Sequence, residues 1–206
     1  VAKDDASLYW IGTAGGGLLK TTNNGIDYEF QFQTESTSAI GDVQVSPSDS
    51  DLLWVGTGEA NPRNSVSWGD GVYRSEDGGG SWTHMGLEAT RHVGRILIHP
   101  EDPNVVYVAG GGGLWGANEE RGVFRTEDGG DTWEKVLYIS PLTGVVDMAM
   151  DPRDPNLLYA KAFQRERRTW SFLGGGPESG ISRSTDGGDT LVRLANGLPE
   201  GVAGKM

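Results

Sequence analysis

The chain has 206 residues, 33 of them glycine, and a formal net charge of −12. Its 36% hydrophobic content and seven tryptophans exclude a disordered chain. The acidic balance argues against a surface that tracks nucleic-acid phosphates.

In chain order, the first apolar run is Leu8–Gly12, which reads as a strand. The segment Thr21-Thr22-Asn23-Asn24-Gly25-Ile26-Asp27-Tyr28 follows, and it recurs in stricter form three times. The stricter copies are Ser75-Glu76-Asp77-Gly78-Gly79-Gly80-Ser81-Trp82, Thr126-Glu127-Asp128-Gly129-Gly130-Asp131-Thr132-Trp133 and Ser184-Thr185-Asp186-Gly187-Gly188-Asp189-Thr190-Leu191. Counted from the first Ser/Thr, the steps are 54, 51 and 58 residues. A period of this size marks a repeat architecture.

The flanks repeat as well. Strands are expected at Asp42–Val45, Arg95–Ile98 and Val145–Met150, then after a Pro/Asp turn at Leu52–Gly56, Val105–Ala109 and Leu157–Ala160. Third strands follow at Gly71–Arg74, Gly122–Arg125 and Gly180–Arg183, and fourth strands after each turn motif, as at Trp133–Leu137. Four short strands per period is the blade of a β-propeller, an all-β fold of antiparallel sheets stacked around an axis. The expected blades are approximately 1–35, 40–88, 92–140 and 144–195, with the start of a next blade at 200–206, where Gly204-Lys205-Met206 aligns with Gly94-Arg95-Ile96. About four blades are therefore present, as part of a larger propeller rather than a closed four-bladed ring.

The motif Ser/Thr-x-Asp-x-Gly-x-Ser/Thr-Trp has a structural use. Asp77, Asp128 and Asp186 accept backbone N–H groups in a hairpin turn, while Gly79, Gly130 and Gly188 supply positive φ. Trp82 and Trp133 fill space between sheets. One Asp at a fixed place does not provide the several oxygens a calcium ion needs, so no metal is expected. No cofactor is expected either.

These motifs resemble the BNR/Asp-box repeats of bacterial sialidases, of the sortilin/VPS10 family and of related secreted bacterial proteins. The group most similar is the bacterial sortilin-like one, on segments such as Gly69-Asp70-Gly71-Val72-Tyr73-Arg74-Ser75. The resemblance implies a propeller in an extracellular or periplasmic setting. It implies no single function, because the box occurs in enzymes and non-enzymes alike.

Loops from second to third strands and from fourth to next first strands share one rim, opposite the Asp-box turns. The elaborated loops are expected at Glu59–Asp70, Gly110–Arg121 and Gln164–Ser179. They carry Asn61, Arg63, Asn64 and Trp68, then Trp115, Asn118, Glu119, Glu120 and Arg121, then Arg165, Arg167, Arg168 and Trp170, with Arg91 and His92 on the same rim. Aromatics beside arginines suit a protein or glycan partner. Plainer roles compete: a tryptophan capping its sheet, a solvated face at Arg165–Arg168, structural histidines at His92 and His99. No catalytic set is recognised. A glycoside hydrolase, sialidase-like or xyloglucanase-like, would need paired carboxylates, with Glu59, Glu119, Glu120 and Glu166 as candidates, and part of its machinery outside this chain. The Arg-Ile-Pro element of sialidases is absent, the nearest string being Arg95-Ile96-Leu97. A third reading is an assembly factor for a membrane protein complex. There is no cysteine and no apolar run near the ~18 residues of a membrane span. Val1 is not an initiator Met, so the lack of a signal peptide excludes nothing.

Overall fold

A computed structural model describes residues 1–61, 63, 65–197 and 204. Four antiparallel sheets follow one another along the chain. The first holds β1 (Tyr9–Gly12), β2 (Leu18–Thr21) and β3 (Glu29–Gln31). The second holds β4 (Ile40–Val45), β5 (Leu53–Thr57), β6 (Val72–Ser75) and β7 (Thr83–His84). The third holds β8 (Val93–Ile98), β9 (Val106–Gly110), β10 (Gly122–Thr126) and β11 (Glu134–Leu137). The fourth holds β12 (Thr143–Asp151), β13 (Asp154–Arg168), β15 (Gly180–Ser184) and β16 (Val192–Arg193), with β14 (Ser171–Gly174) paired to β13. Strand order within each sheet is sequential, as in propeller blades. The expected start of a further blade at 200–206 lies outside the described residues apart from Gly204.

The second strands β5 and β9 are buried at every position and on both faces. Strand side chains alternate between faces. Leu53 and Val55 enter a core shared with the first sheet, while Trp54 between them enters the core shared with the third. Val106 and Val108 then face the second sheet, and Tyr107 and Ala109 the fourth. Each joint between sheets thus has its own core, and fully buried Trp54 alone contributes about 3 kcal/mol of apolar burial.

A polar link repeats at every joint. Lys20 Nζ donates to the Gly78 carbonyl at 2.8 Å, and Arg74 Nη1 donates to that of Gly129 at 3.3 Å. Arg125 Nη1 donates to the Gly187 carbonyl at 3.1 Å, joined there by the Tyr107 hydroxyl at 2.6 Å. The third-strand cation of one sheet therefore clasps the turn of the next.

The turns are built alike. Ser75 Oγ donates to Asp77 Oδ1 at 2.8 Å and accepts the Gly79 amide at 2.9 Å, while Asp77 accepts the Ser81 amide at 2.8 Å and its hydroxyl at 2.7 Å. Asp128 and Asp186 repeat this with Thr132 and Thr190. In the first sheet Asn23 takes the aspartate's place and accepts the Asp27 amide at 3.0 Å. Gly79, Gly130 and Gly188 have φ of 93°, 103° and 94°, a region that favours glycine. Trp133 donates to the Met85 carbonyl at 2.7 Å and meets Trp54 edge-on at 6.0 Å.

The innermost strands carry an ionic ladder that sequence reading missed. Bulges fall at Gly41, Gly94 and Val146, and the residue after each is charged: Asp42, Arg95, Asp147. Arg95 Nε donates to Asp147 Oδ1 at 2.8 Å, and Arg95 Nη1 lies 3.6 Å from Asp42 Oδ1. Asp42 also accepts the Ile96 amide at 2.8 Å.

Candidate binding rim

The rim is assembled from the 58–71 and 111–121 loops, the 88–92 connection and the tip of the fourth sheet. That last part departs from the expected Gln164–Ser179 loop. β13 continues to Arg168 and turns at Thr169-Trp170 into β14, with Arg165 opposite Gly174 and Arg167 opposite Phe172. The alternation Phe163, Arg165, Arg167 carries a strand period, but consecutive charges masked it.

Trp68, Trp115 and Trp170 are 55%, 49% and 80% exposed. Arg91 lies over the Trp68 ring, its guanidinium carbon 4.5 Å from the centroid. A Cβ placed on Gly113 would sit 3.4 Å from Arg91 Cδ, so the Arg91 stem packs along the segment leading to Trp115. Trp115 bridges Arg167 in parallel, the Arg167 amide donates to the Leu114 carbonyl at 3.3 Å, and Arg167 lies over Phe172 at 5.2 Å. Trp68, Arg91, Trp115, Arg167 and Phe172 therefore succeed one another across three sheets. Arg91 adopts φ 58°, unusual for a non-glycine residue, and its carbonyl accepts the Gly69 amide at 2.8 Å.

Three residues expected on this surface are instead interior. Arg121 is fully buried and donates to the carbonyls of Gly111, Gly113, Gly116 and Leu142 at 2.7–3.3 Å. Arg165 is 2% exposed and donates to the Gly112 carbonyl at 2.9 Å. His92 is 1% exposed, and neither ring nitrogen has a partner among the described residues. The physical reason is the irregular loop 111–116, whose inward carbonyls need donors and find them in the two guanidiniums. Burial lowers Arg121 and Arg165 to about 10, and burial with the neighbouring Arg165 and Arg121 lowers His92 to about 4. In the second and fourth sheets the equivalent residue also bonds inward, though as an acceptor: Asp70 accepts Thr57 and Tyr73 hydroxyls at 3.2 and 2.7 Å, and Ser179 Oγ accepts the Gln164 and Gly176 amides. Aligning the repeats at Gly71, Gly122 and Gly180 was the available signal.

The candidate carboxylates are engaged. Glu59 is buried and receives Arg63, whose guanidinium holds its carboxyl below the usual range. Glu119 accepts the Tyr138 hydroxyl, Glu120 pairs with Lys135 at 3.1 Å, and Glu166 with Arg168 at 2.9 Å. Asn61, Arg63, Glu119 and Arg168 are exposed, and Asn64 lies outside the described residues. Sequence reading also missed Glu178, which lines a cavity of about 170 Å³ between the third and fourth sheets; Ser140 and Thr143 hydroxyls lower its carboxyl. Among the described residues no group of three His, Cys, Asp or Glu could hold a metal, and no helix is long and apolar enough to cross a membrane.

The family model described as "Sortilin, neurotensin receptor 3" matches residues 70–199. The chain belongs to the Sortilin-Vps10 family. Solved structures similar to this Sortilin-Vps10 chain share its propeller fold. An ancestral GH74 enzyme matches at 20% identity and TM-score 0.69, over 95% of this chain and 23% of its own. The GH74 xyloglucanase from Xanthomonas campestris matches at 17% and 0.67, over 97% and 30%. The extracellular domain of a hybrid two-component system from B. thetaiotaomicron matches at 11% and 0.53, over 95% and 28%. The chain thus spans less than a third of the length of each. No curated protein sequence matches it.

Proposed function

We propose that this Sortilin-Vps10 chain is a non-catalytic binding scaffold that presents its loop rim to a protein or glycan partner, in an extracellular or periplasmic setting. The observation that carries the reading is the exposed aromatic strip of Trp68, Trp115 and Trp170, interleaved with Arg91 and Arg167 and spread over three sheets. Contiguous exposed aromatics on a rigid scaffold mark interaction sites. A glycosidase acid needs a carboxyl held protonated near neutrality, whereas the rim carboxylates pair with cations or hydroxyls and Glu59 is lowered. The net charge of −12 argues against nucleic acid as partner.

Affinity electrophoresis against a panel of neutral and acidic polysaccharides and of peptides, with reducing-end release measured in parallel, tests this. Retention without release, lost in Trp68→Ala/Trp115→Ala at unchanged melting temperature, is expected. Release of reducing ends by this chain would establish the hydrolase reading instead.

A further inference from the structure

Three rim arginines stand apart from the ion pairs of the rim. Glu59, Glu120 and Glu166 are neutralised by Arg63, Lys135 and Arg168. Arg91, Arg121 and Arg165 have no carboxylate partner among the described residues. Arg121 and Arg165 are held by backbone carbonyls alone, and Arg91 by the Trp68 face. Carbonyl dipoles accept from these guanidiniums without cancelling their charge, and burial in a low dielectric lets that charge act over a longer range. The buried pair lies beneath the 111–116 loop, whose next-door surface is Trp115 and Arg91. Three guanidiniums without a carboxylate partner therefore gather at one aromatic surface.

We propose that the strip Trp68–Arg91–Trp115 binds a carboxylate-bearing polysaccharide, a chain of uronic acid units. Pyranose C–H faces stack on the indoles of Trp68 and Trp115, and a ring carboxylate pairs with Arg91, above Arg121 and Arg165. This rests on the scaffold reading of the rim and names its ligand. A sugar chain fits better than an acidic peptide because no strand edge runs from Trp68 to Trp115. The connecting backbone is loop and one 3₁₀ turn, Glu88–Thr90, so an extended peptide finds no ladder to join. Sugar rings need only flat aromatic faces, and the indole's negative face attracts polarised C–H groups. The stack of Arg91 on Trp68 holds the guanidinium in place, so little side-chain entropy is lost on pairing.

The probe is polygalacturonate, compared in low salt with its methyl-esterified form, which keeps the rings and removes the charge, and with poly-glutamate, which keeps the charge and removes the rings. Retention of polygalacturonate, weak retention of the other two, and weakening as salt rises are expected. Trp115→Ala and Arg91→Gln each weaken binding about tenfold with unchanged melting curves. Failure to retain polygalacturonate overturns the proposal, as does equal retention of its methyl ester. Poly-glutamate bound at least as tightly makes the ligand an acidic peptide and overturns it too. If polygalacturonate fails while another panel member is held in a Trp115-dependent way, the scaffold reading stands without this ligand; if nothing in the panel is held, both fall.

Discussion

Arg125 of the third sheet reaches across to the fourth, its Nη1 lying 3.1 Å from the Gly187 carbonyl and 2.7 Å from Asp189 Oδ1. Glu134 and Glu127 hold the same guanidinium from its own sheet. The Lys20 contact at the first joint is a single bond to one carbonyl. Arg125→Met is therefore expected to cost about 2 kcal/mol, and Lys20→Met about 1 kcal/mol. Urea unfolding of the two variants checks the order; equal costs would show that the ion pairs around Arg125 add nothing.

The three turn aspartates predict an acid limit. Hydroxyl and amide donors of Ser81, Thr132 and Thr190 lower Asp77, Asp128 and Asp186 to about 2. A carboxyl lowered on folding stabilises fully above its unfolded value, and that contribution disappears as pH falls through the folded value. Melting temperature should drop between about pH 4 and pH 2. Replacing all three by Asn, the residue already present at position 23, should flatten that drop. Asp77→Ala with Asp128→Ala should lower the melting temperature and leave binding by the folded protein intact.

Asp42 has the opposite sign. Burial raises its carboxyl despite the Ile96 amide and Arg95. Ionising it costs the native state, so its effect is a loss of stability as pH climbs from the ordinary carboxylate range through its own higher value. Asp42→Asn keeps an acceptor for the Ile96 amide and should remove this decline. A pH series of urea midpoints for the two proteins is the check, and parallel curves would rule it out.

Arg121→Met should be among the most damaging single changes, costing about 3 kcal/mol, because it strands the carbonyls of Gly111 and Gly113 in the interior. Trp115→Ala, at a half-exposed position in the same loop, should leave the melting temperature within about 1 °C. Thermal denaturation of both variants separates the loop's internal support from its outward surface.

The propeller was legible because its signals are local. The turn motif at 21, 75, 126 and 184 needs only Asp or Asn, Gly and a hydroxyl at fixed spacing, and strand alternation does the rest. The rim was legible only as a set of loops. That Arg91 stacks on Trp68 while Arg121 and Arg165 turn inward depends on which carbonyls the 111–116 loop leaves unpaired, and no local pattern encodes that. The axial ladder Asp42–Arg95–Asp147 joins residues about fifty positions apart, visible only once bulges bring them level.

The clasp between a third-strand cation and the next sheet's glycine carbonyl has a direction. The first three sheets offer a cation forwards, and the last three offer a turn backwards. Removing the third sheet would bring Arg74 to Gly187, but it would also take away Arg95 and set Asp42 against Asp147. The clasp is thus a part common to every joint, while the alternating charges of the axial ladder fix which sheet can follow which.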